Sequence, residues 1–222
     1  MTASHPDAWA AVDRYLAETL VGSDPALDAT LASQDRAHLR PIEVAPAAGK
    51  LLHLLVRISR ARRVLEIGTL AGYSAIWMAR ALPADGRLIS IEAEPANAAL
   101  ARENVDAAGV GERVDIRIGR AADVLPGLAD EAPFDLVFID ADKESNTVYL
   151  DWAARLSQPG AVIVVDNIGR SGEVANADTD DPQIQGVRAG LAMLGEDPRF
   201  DATGLQTVGV KGWDGLAIAV RV

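Results

Sequence analysis

Phe134-Asp135-Leu136-Val137-Phe138-Ile139-Asp140-Ala141-Asp142-Lys143 begins as an apolar run and ends abruptly in two carboxylates and a lysine. A run of that kind suits a parallel strand buried on both faces. The charges stand where the strand would leave its sheet. In open α/β sheets, ligands bind at that carboxyl edge. The stretch therefore predicts a central strand, with Asp140 and Lys143 delivered to a site at its end.

Working outward, strands alternate with helices. Residues 64–67, 88–92, 114–119, 134–140 and 161–166 read as strands. Residues 73–81, 95–108, 121–128 and 147–156 read as helices between them. The alternation implies a parallel sheet covered on both faces, an α/β fold. Before it, helices are expected over 7–20, 25–39 and 47–59, with Asp24 as an N-cap and Pro25 at the first helical position. An extended segment, residues 40–46, follows the second of these helices. Residues 1–60 read as a helical cap with a substrate-side segment, and 61–222 as the binding core of one domain. After residue 166 the pattern changes. Residues 167–183 are polar and predict a loop, and 184–194 a helix. Residues 200–208 and 215–222 predict two strands joined through 209–214, and a hairpin makes that pair antiparallel. Gln158-Pro159-Gly160 is expected to be a turn.

The 222 residues are enough for a full core. A net charge of −11 argues against a broad nucleic-acid or anionic-membrane surface. There is no cysteine, which excludes disulfides, thiolate metal sites and cysteine nucleophiles. Residues 1–10 lack a basic region followed by an apolar run, so no signal peptide is expected. No apolar run has the length of a membrane span. The expectation is a cytoplasmic protein. His5, His38 and His53 are scattered and read as surface or helix residues. No G-x-S-x-G elbow is present.

Glu66-Ile67-Gly68-Thr69-Leu70-Ala71-Gly72 lies between the first strand and its helix. Glycines there allow a tight turn and a close approach to a ligand. The spacing lacks the central glycine of G-x-G-x-x-G, and Glu66 sets a carboxylate where a diphosphate would be repelled. Glu92 ends the second strand and suits ribose hydroxyls. Gly119 ends the third, and Ala121 leaves room for a flat base. The set points to an adenosine-bearing ligand without a pyrophosphate, such as S-adenosylmethionine.

At the other end, Asp140 closes the fourth strand, and Asp166 and Asn167 close the fifth. If these strands are neighbours, three oxygen donors converge. Two carboxylates and an amide suit a hard cation such as magnesium, with positions left for an aromatic diol. A phenol is a poor nucleophile at neutral pH because its reference pKa is about 10, and a metal favours the phenolate. Lys143 is placed to accept or relay the proton. Asp142 reads as a helix-start acid.

Three blocks carry a family resemblance: Val64-Leu65-Glu66-Ile67-Gly68-Thr69-Leu70-Ala71-Gly72-Tyr73-Ser74, then Phe138-Ile139-Asp140-Ala141-Asp142-Lys143, then Val165-Asp166-Asn167. In this order the chain resembles the cation-dependent O-methyltransferases, the family of catechol and caffeoyl-CoA O-methyltransferases and their bacterial relatives. Gly209-Val210-Lys211-Gly212-Trp213-Asp214-Gly215 resembles the bacterial members. The resemblance implies a class I methyltransferase fold: a Rossmann-like three-layer sandwich whose seven-stranded, mostly parallel sheet has an antiparallel last strand. It implies Asp140, Asp166 and Asn167 as metal ligands and Lys143 as catalytic base. It places Val44, Glu66, Gly68, Tyr73, Ser74, Glu92, Ala121 and Asp140 around S-adenosylmethionine, with residues 40–45 and 168–183 bordering the acceptor. It also implies a homodimer. Ala122 stands where some relatives carry a polar residue near the adenine. The acidic run Asp178 to Asp181 disfavours a large anionic CoA ester. Two other readings remain open at this point: a nicotinamide-dependent oxidoreductase, disfavoured by the missing glycine, and a non-catalytic nucleotide-sensing module.

Overall fold

Seven strands form one sheet in the order β3-β2-β1-β4-β5-β7-β6. The structure is a computed structural model that describes residues 5–222, with side chains from Pro6 onward. The readings of residues 1–4 and of the His5 side chain lie outside the described residues. The strands are β1 (Arg63–Ile67), β2 (Arg87–Glu92), β3 (Val114–Ile118), β4 (Phe134–Ile139), β5 (Ser157–Asp166), β6 (Phe200–Gly209) and β7 (Gly212–Arg221). The helices are α1 (His5–Leu16), α2 (Pro25–Arg36), α3 (Pro46–Ile58), α4 (Tyr73–Ala81), α5 (Pro95–Ala107), α6 (Ala121–Val124), α7 (Asn146–Leu156) and α8 (Pro182–Glu196). All pairings from β3 to β5 are parallel, and β7 is antiparallel to both β5 and β6.

Period-two alternation builds two cores, one on each face of the sheet. Val64, Leu88, Leu136, Phe138 and Val164 bury one face with α3 and α4. Leu65, Ile67, Val137, Ile139 and Ile163 bury the other with α7 and α8. Phe134, Leu136, Val137, Phe138 and Ile139 are each 2% exposed or less.

Register then positions the site. Ile91, Ile67, Ile139 and Val165 lie side by side across β2, β1, β4 and β5. The next residues are Glu92, Gly68, Asp140 and Asp166, so one step along the chain brings all four to the same edge. That edge straddles the place where strand order reverses, between β1 and β4, which is where open sheets bind ligands.

Local chemistry explains the element ends. Asp24 accepts the amides of Ala26 (3.0 Å) and Leu27 (3.2 Å) at the start of α2, with Pro25 at the first helical position. Asp181 accepts the Gln183 amide and caps α8, which starts two residues earlier than the apolar pattern indicates. One member of the acidic run is therefore a helix cap.

Three expectations are corrected. The first helix does not continue to Leu20 in one geometry. It gives way to a π-helical turn, Ala17–Val21, that ends at Gly22. Gln158-Pro159-Gly160 belongs to β5, where pairing with β4 shifts register between Phe134 and Leu136. The bulge absorbs residues that otherwise read as a turn. The hairpin is also longer than the apolar pattern suggests. Gly209 pairs with Gly212, leaving Val210 and Lys211 as a two-residue turn. Asp13 on α1 accepts the Val210 amide at 2.8 Å, so a distant element stabilises the tip.

The opening helices brace the core. Ser33 on α2 donates to Asn104 at 2.9 Å, and Asn104 donates to the Ala71 carbonyl at 2.9 Å, reaching the loop after β1. Among the described residues, no helix is long and apolar enough to cross a membrane.

Candidate active site

A cavity of about 760 Å³ opens over the carboxyl edge of the sheet. Val44, Gly68, Tyr73, Ser74, Glu92, Gly119, Ala121, Asp140, Lys143, Asp166 and Asn167 all line it. Ala122 lines it as well. Of the residues singled out from the sequence for the cofactor, Glu66 and Gly72 do not line the cavity, and Glu66 stands behind its wall, fully buried.

Gly68 and Gly72 have φ of +97° and +85°, the left-handed region that glycine tolerates. At Gly68 a Cβ would also sit 2.0 Å from the Asp140 carbonyl oxygen. This glycine lets the ends of β1 and β4 meet. The loop that follows is tied to Glu92, whose Oε2 accepts the amides of Leu70 (2.8 Å) and Thr69 (3.2 Å) and whose Oε1 accepts that of Glu94 (3.0 Å). A carboxylate has about four acceptor sites. Three serve the chain, which leaves one for a ribose hydroxyl unless the longer Thr69 contact gives way.

Glu66 needs a different account from its sequence reading. It pairs in register with Ser90 across β1 and β2. Ser74 donates to its Oε1 at 2.6 Å, and Ser90 donates to its Oε2. Burial pushes its carboxyl up to about 8, against the pull of the two hydroxyls. Near neutral pH it is therefore mostly protonated. The argument that its charge repels a diphosphate loses its basis.

The other end is more strongly charged. Lys143 is 5% exposed, and its Nζ donates to Asp140 Oδ1 at 2.9 Å. The backbone N–H of Asn167 donates to Asp166 Oδ1 at 2.8 Å. Burial, and then the Asp140 charge, push the Asp166 carboxyl up to about 7. One ammonium is thus set against two neighbouring carboxylates, and an added cation would relieve the excess. Two carboxylates and an amide oxygen form a hard donor set that fits magnesium or a similar ion. No three His, Cys, Asp or Glu side chains among the described residues come together as a metal group. The candidate set needs the Asn167 amide to be complete.

Several contributors escaped the sequence reading. Ser90 interrupts an apolar strand, and that interruption was the available signal. Lys211 lines the cavity from the hairpin tip and donates to the Pro41 carbonyl (2.9 Å) and to Glu43 (2.5 Å), joining the tip to residues 40–45. Tyr149 donates to Asp142, which gives that acid a partner beyond its helix start. Gly186 in α8 lies against the Lys143 segment, where a Cβ would stand 2.2 Å from the Lys143 carbonyl. A glycine inside a helix costs roughly 1 kcal/mol relative to alanine, so its presence was a signal of close approach. Asp214 gave no signal in its own neighbourhood.

Known proteins resemble this chain over nearly its whole length. An O-methyltransferase family model matches residues 21–222. The chain is 53% identical over 209 residues to the catechol O-methyltransferase of Mycobacterium tuberculosis, covering 94% of each. It is 50% identical to that of Niastella koreensis, covering 94% of this chain and 96% of the relative. Among solved structures, it is similar to the O-methyltransferase TomG of Streptomyces achromogenes in complex with SAM. The TM-score is 0.96 at 45% identity, covering 99% of this chain and all of that one. An O-methyltransferase from Bacillus cereus in complex with SAH gives a TM-score of 0.95 at 45% identity, over 97% and 99% of the two chains. With the strand order, the cavity and this similarity over nearly its whole length, the chain belongs to the O-methyltransferase family.

Proposed function

We propose that the chain transfers the methyl group of S-adenosylmethionine to one hydroxyl of a small catechol-type acceptor, using a divalent cation held by Asp140, Asp166 and Asn167. One observation carries the reading: the Gly68–Glu92 end and the Asp140–Lys143–Asp166–Asn167 end line a single cavity, with Asp140 common to both. A methyl donor and an oxygen nucleophile need that adjacency, because in-line transfer depends on proximity and orientation. The names of the two bacterial relatives support the acceptor class, and the bound SAM and SAH of the solved relatives support the donor.

A bound cation would supply charge that favours the phenolate form of the acceptor. Val44 and Tyr73 are buried side chains of the cavity wall, and residues 40–45 close one flank. Lys143 takes the acceptor's proton. To act as that base, Lys143 must first pass its own proton to water, and its hydrogen bond to Asp140, which favours the ammonium, would be weakened where Asp140 serves as a cation ligand. The phenolate oxygen then forms a bond to the methyl carbon while the carbon–sulfur bond breaks, leaving S-adenosylhomocysteine and a neutral sulfur. A homodimer belongs to this reading. Its support is the exposed Val12, Tyr15, Leu16 and Leu20 near the N-terminus and the exposed Leu205 and Val208 on the edge strand β6.

The test is a panel of catechol acceptors with S-adenosylmethionine, run with chelator and again after Mg²⁺ is restored. The expected result is methylation that chelator abolishes and Mg²⁺ returns. Chelator-resistant turnover would overturn the cation assignment. Binding of S-adenosylmethionine without turnover of any catechol would favour a nucleotide-sensing module instead.

A further inference from the structure

Asp214 has no part in the reaction described above, yet its carboxylate accepts four hydrogen bonds, three of them from the turn at residues 167–170. Oδ1 accepts the amides of Gly169 (2.9 Å), Arg170 (3.0 Å) and Gly215 (2.9 Å). Oδ2 accepts from the side-chain Nδ2 of Asn167 at 3.3 Å. The turn it gathers is costly for its residues. Asn167, Arg170 and Ser171 have φ of +59°, +49° and +55°. Packing is close as well: a Cβ at Gly169 would stand 2.7 Å from the Asp214 carbonyl. Strand direction explains the placement. β7 is antiparallel to β5, and Leu216 pairs with Asp166. Two residues earlier, β7 therefore reaches Asp214, beyond the end of β5 and within hydrogen-bond reach of the Asn167 side chain.

The consequence is chemical. An asparagine side chain ends in an oxygen on one arm and an NH2 on the other. An ionised carboxylate can only accept, so Asn167 must turn its NH2 toward Asp214 and its oxygen away. Only the oxygen can ligate a hard cation. We propose that Asp214 is a positioning residue of the cation site, holding the Asn167 amide in the orientation that offers oxygen rather than NH2. The proposal rests on the reading of Asp140, Asp166 and Asn167 as cation ligands. Its logic is that of the outer partners that orient ligands in known metal sites.

Direct Mn²⁺ binding to the full chain, followed by electron paramagnetic resonance of the free ion, tests this without turnover. Asp214→Asn keeps an oxygen for the three amides but turns an NH2 toward Asn167. Asn167 then rotates to accept from it and presents its own NH2 to the cation. Mn²⁺ affinity should fall about 10–100-fold, with S-adenosylhomocysteine affinity and circular dichroism unchanged. The same substitution made on Asn167→Asp should cost nothing, because both arms of an aspartate are oxygens. Equal losses in both backgrounds, no loss in either, or failure to fold in both would assign Asp214 to the turn alone and overturn the proposal. Mn²⁺ uptake absent from the unmodified protein, or unchanged in Asp140→Ala, would instead overturn the cation reading and the proposal with it.

Discussion

The acidic residues at the two ends of the cavity are in opposite circumstances. At the cofactor end, Glu92 is surrounded by amides of its own chain, and Glu66 by two hydroxyls. Their acceptor sites are largely filled by folding. At the other end, burial and the neighbouring Asp140 charge raise the proton affinity of Asp166, and the Lys143 ammonium is hydrogen-bonded to Asp140. Their needs are not met by the chain alone. The first end is thus organised by its hydrogen bonds before any ligand arrives. The second holds excess negative charge in a poorly solvated place, which favours capture of a cation. On the proposed function, this contrast would leave donor binding to one end and chemistry to the other.

Lys143→Ala should break the chemical end alone, and is expected to have the largest effect. The turnover number should fall about 10²–10⁴-fold, the usual range for a lost general base. Affinity for S-adenosylhomocysteine, measured by calorimetry, should stay the same. A normal turnover number would remove Lys143 from proton transfer. Glu92→Ala should do the reverse. It releases the amides of Thr69, Leu70 and Glu94, and charge-assisted hydrogen bonds contribute about 1.5–3 kcal/mol each. S-adenosylhomocysteine affinity should drop about 10–100-fold by that measure, with a much smaller change in turnover at saturating donor. An unchanged affinity would show that the loop needs no such tie.

The remaining effect concerns the pH dependence of stability rather than ligand binding or turnover. The folded Glu66 carboxyl is raised to about 8 from a reference of 4.5, chiefly by burial. Between those values the folded chain holds a proton that the unfolded chain releases. Stability from this group is therefore complete below about pH 4.5 and is lost as pH climbs toward 8. The slope is at most about 1.4 kcal/mol per pH unit. Glu66→Gln should flatten the fall in thermal midpoint between pH 5 and 8. Asp166, raised to about 7, keeps its own share of the slope in both proteins, so the difference reports Glu66. Parallel curves for the two proteins would mean that Glu66 is ionised in the fold.

Strand ends were legible because burial leaves a plain trace. The apolar runs of β1, β2, β4 and β5 end in a glycine or a carboxylate, and register carries those ends to one edge. Asp24 before Pro25 was equally plain, since a cap acts within three residues. The hairpin tip was not, because Asp13, Pro41 and Glu43 hold Val210 and Lys211 from far along the chain. The bulge at Gln158 to Gly160 was hidden for a related reason: its residues are typical of turns, and only pairing with β4 keeps them in a strand.

By itself, then, the sequence determined the order of elements, the two cores and the residues brought to the carboxyl edge. These follow from periodicity and from short-range chemistry. Tertiary structure decided the state of those residues. Full burial behind the cavity wall, outweighing the hydrogen bonds from Ser74 and Ser90, makes Glu66 a mostly neutral acid rather than a charge on that wall. The amides of a neighbouring loop use most of Glu92. An aspartate 47 residues away selects which arm of Asn167 faces a cation. Protonation and orientation depend on what stands within about 3 Å, and in a folded sheet those neighbours come from distant parts of the chain.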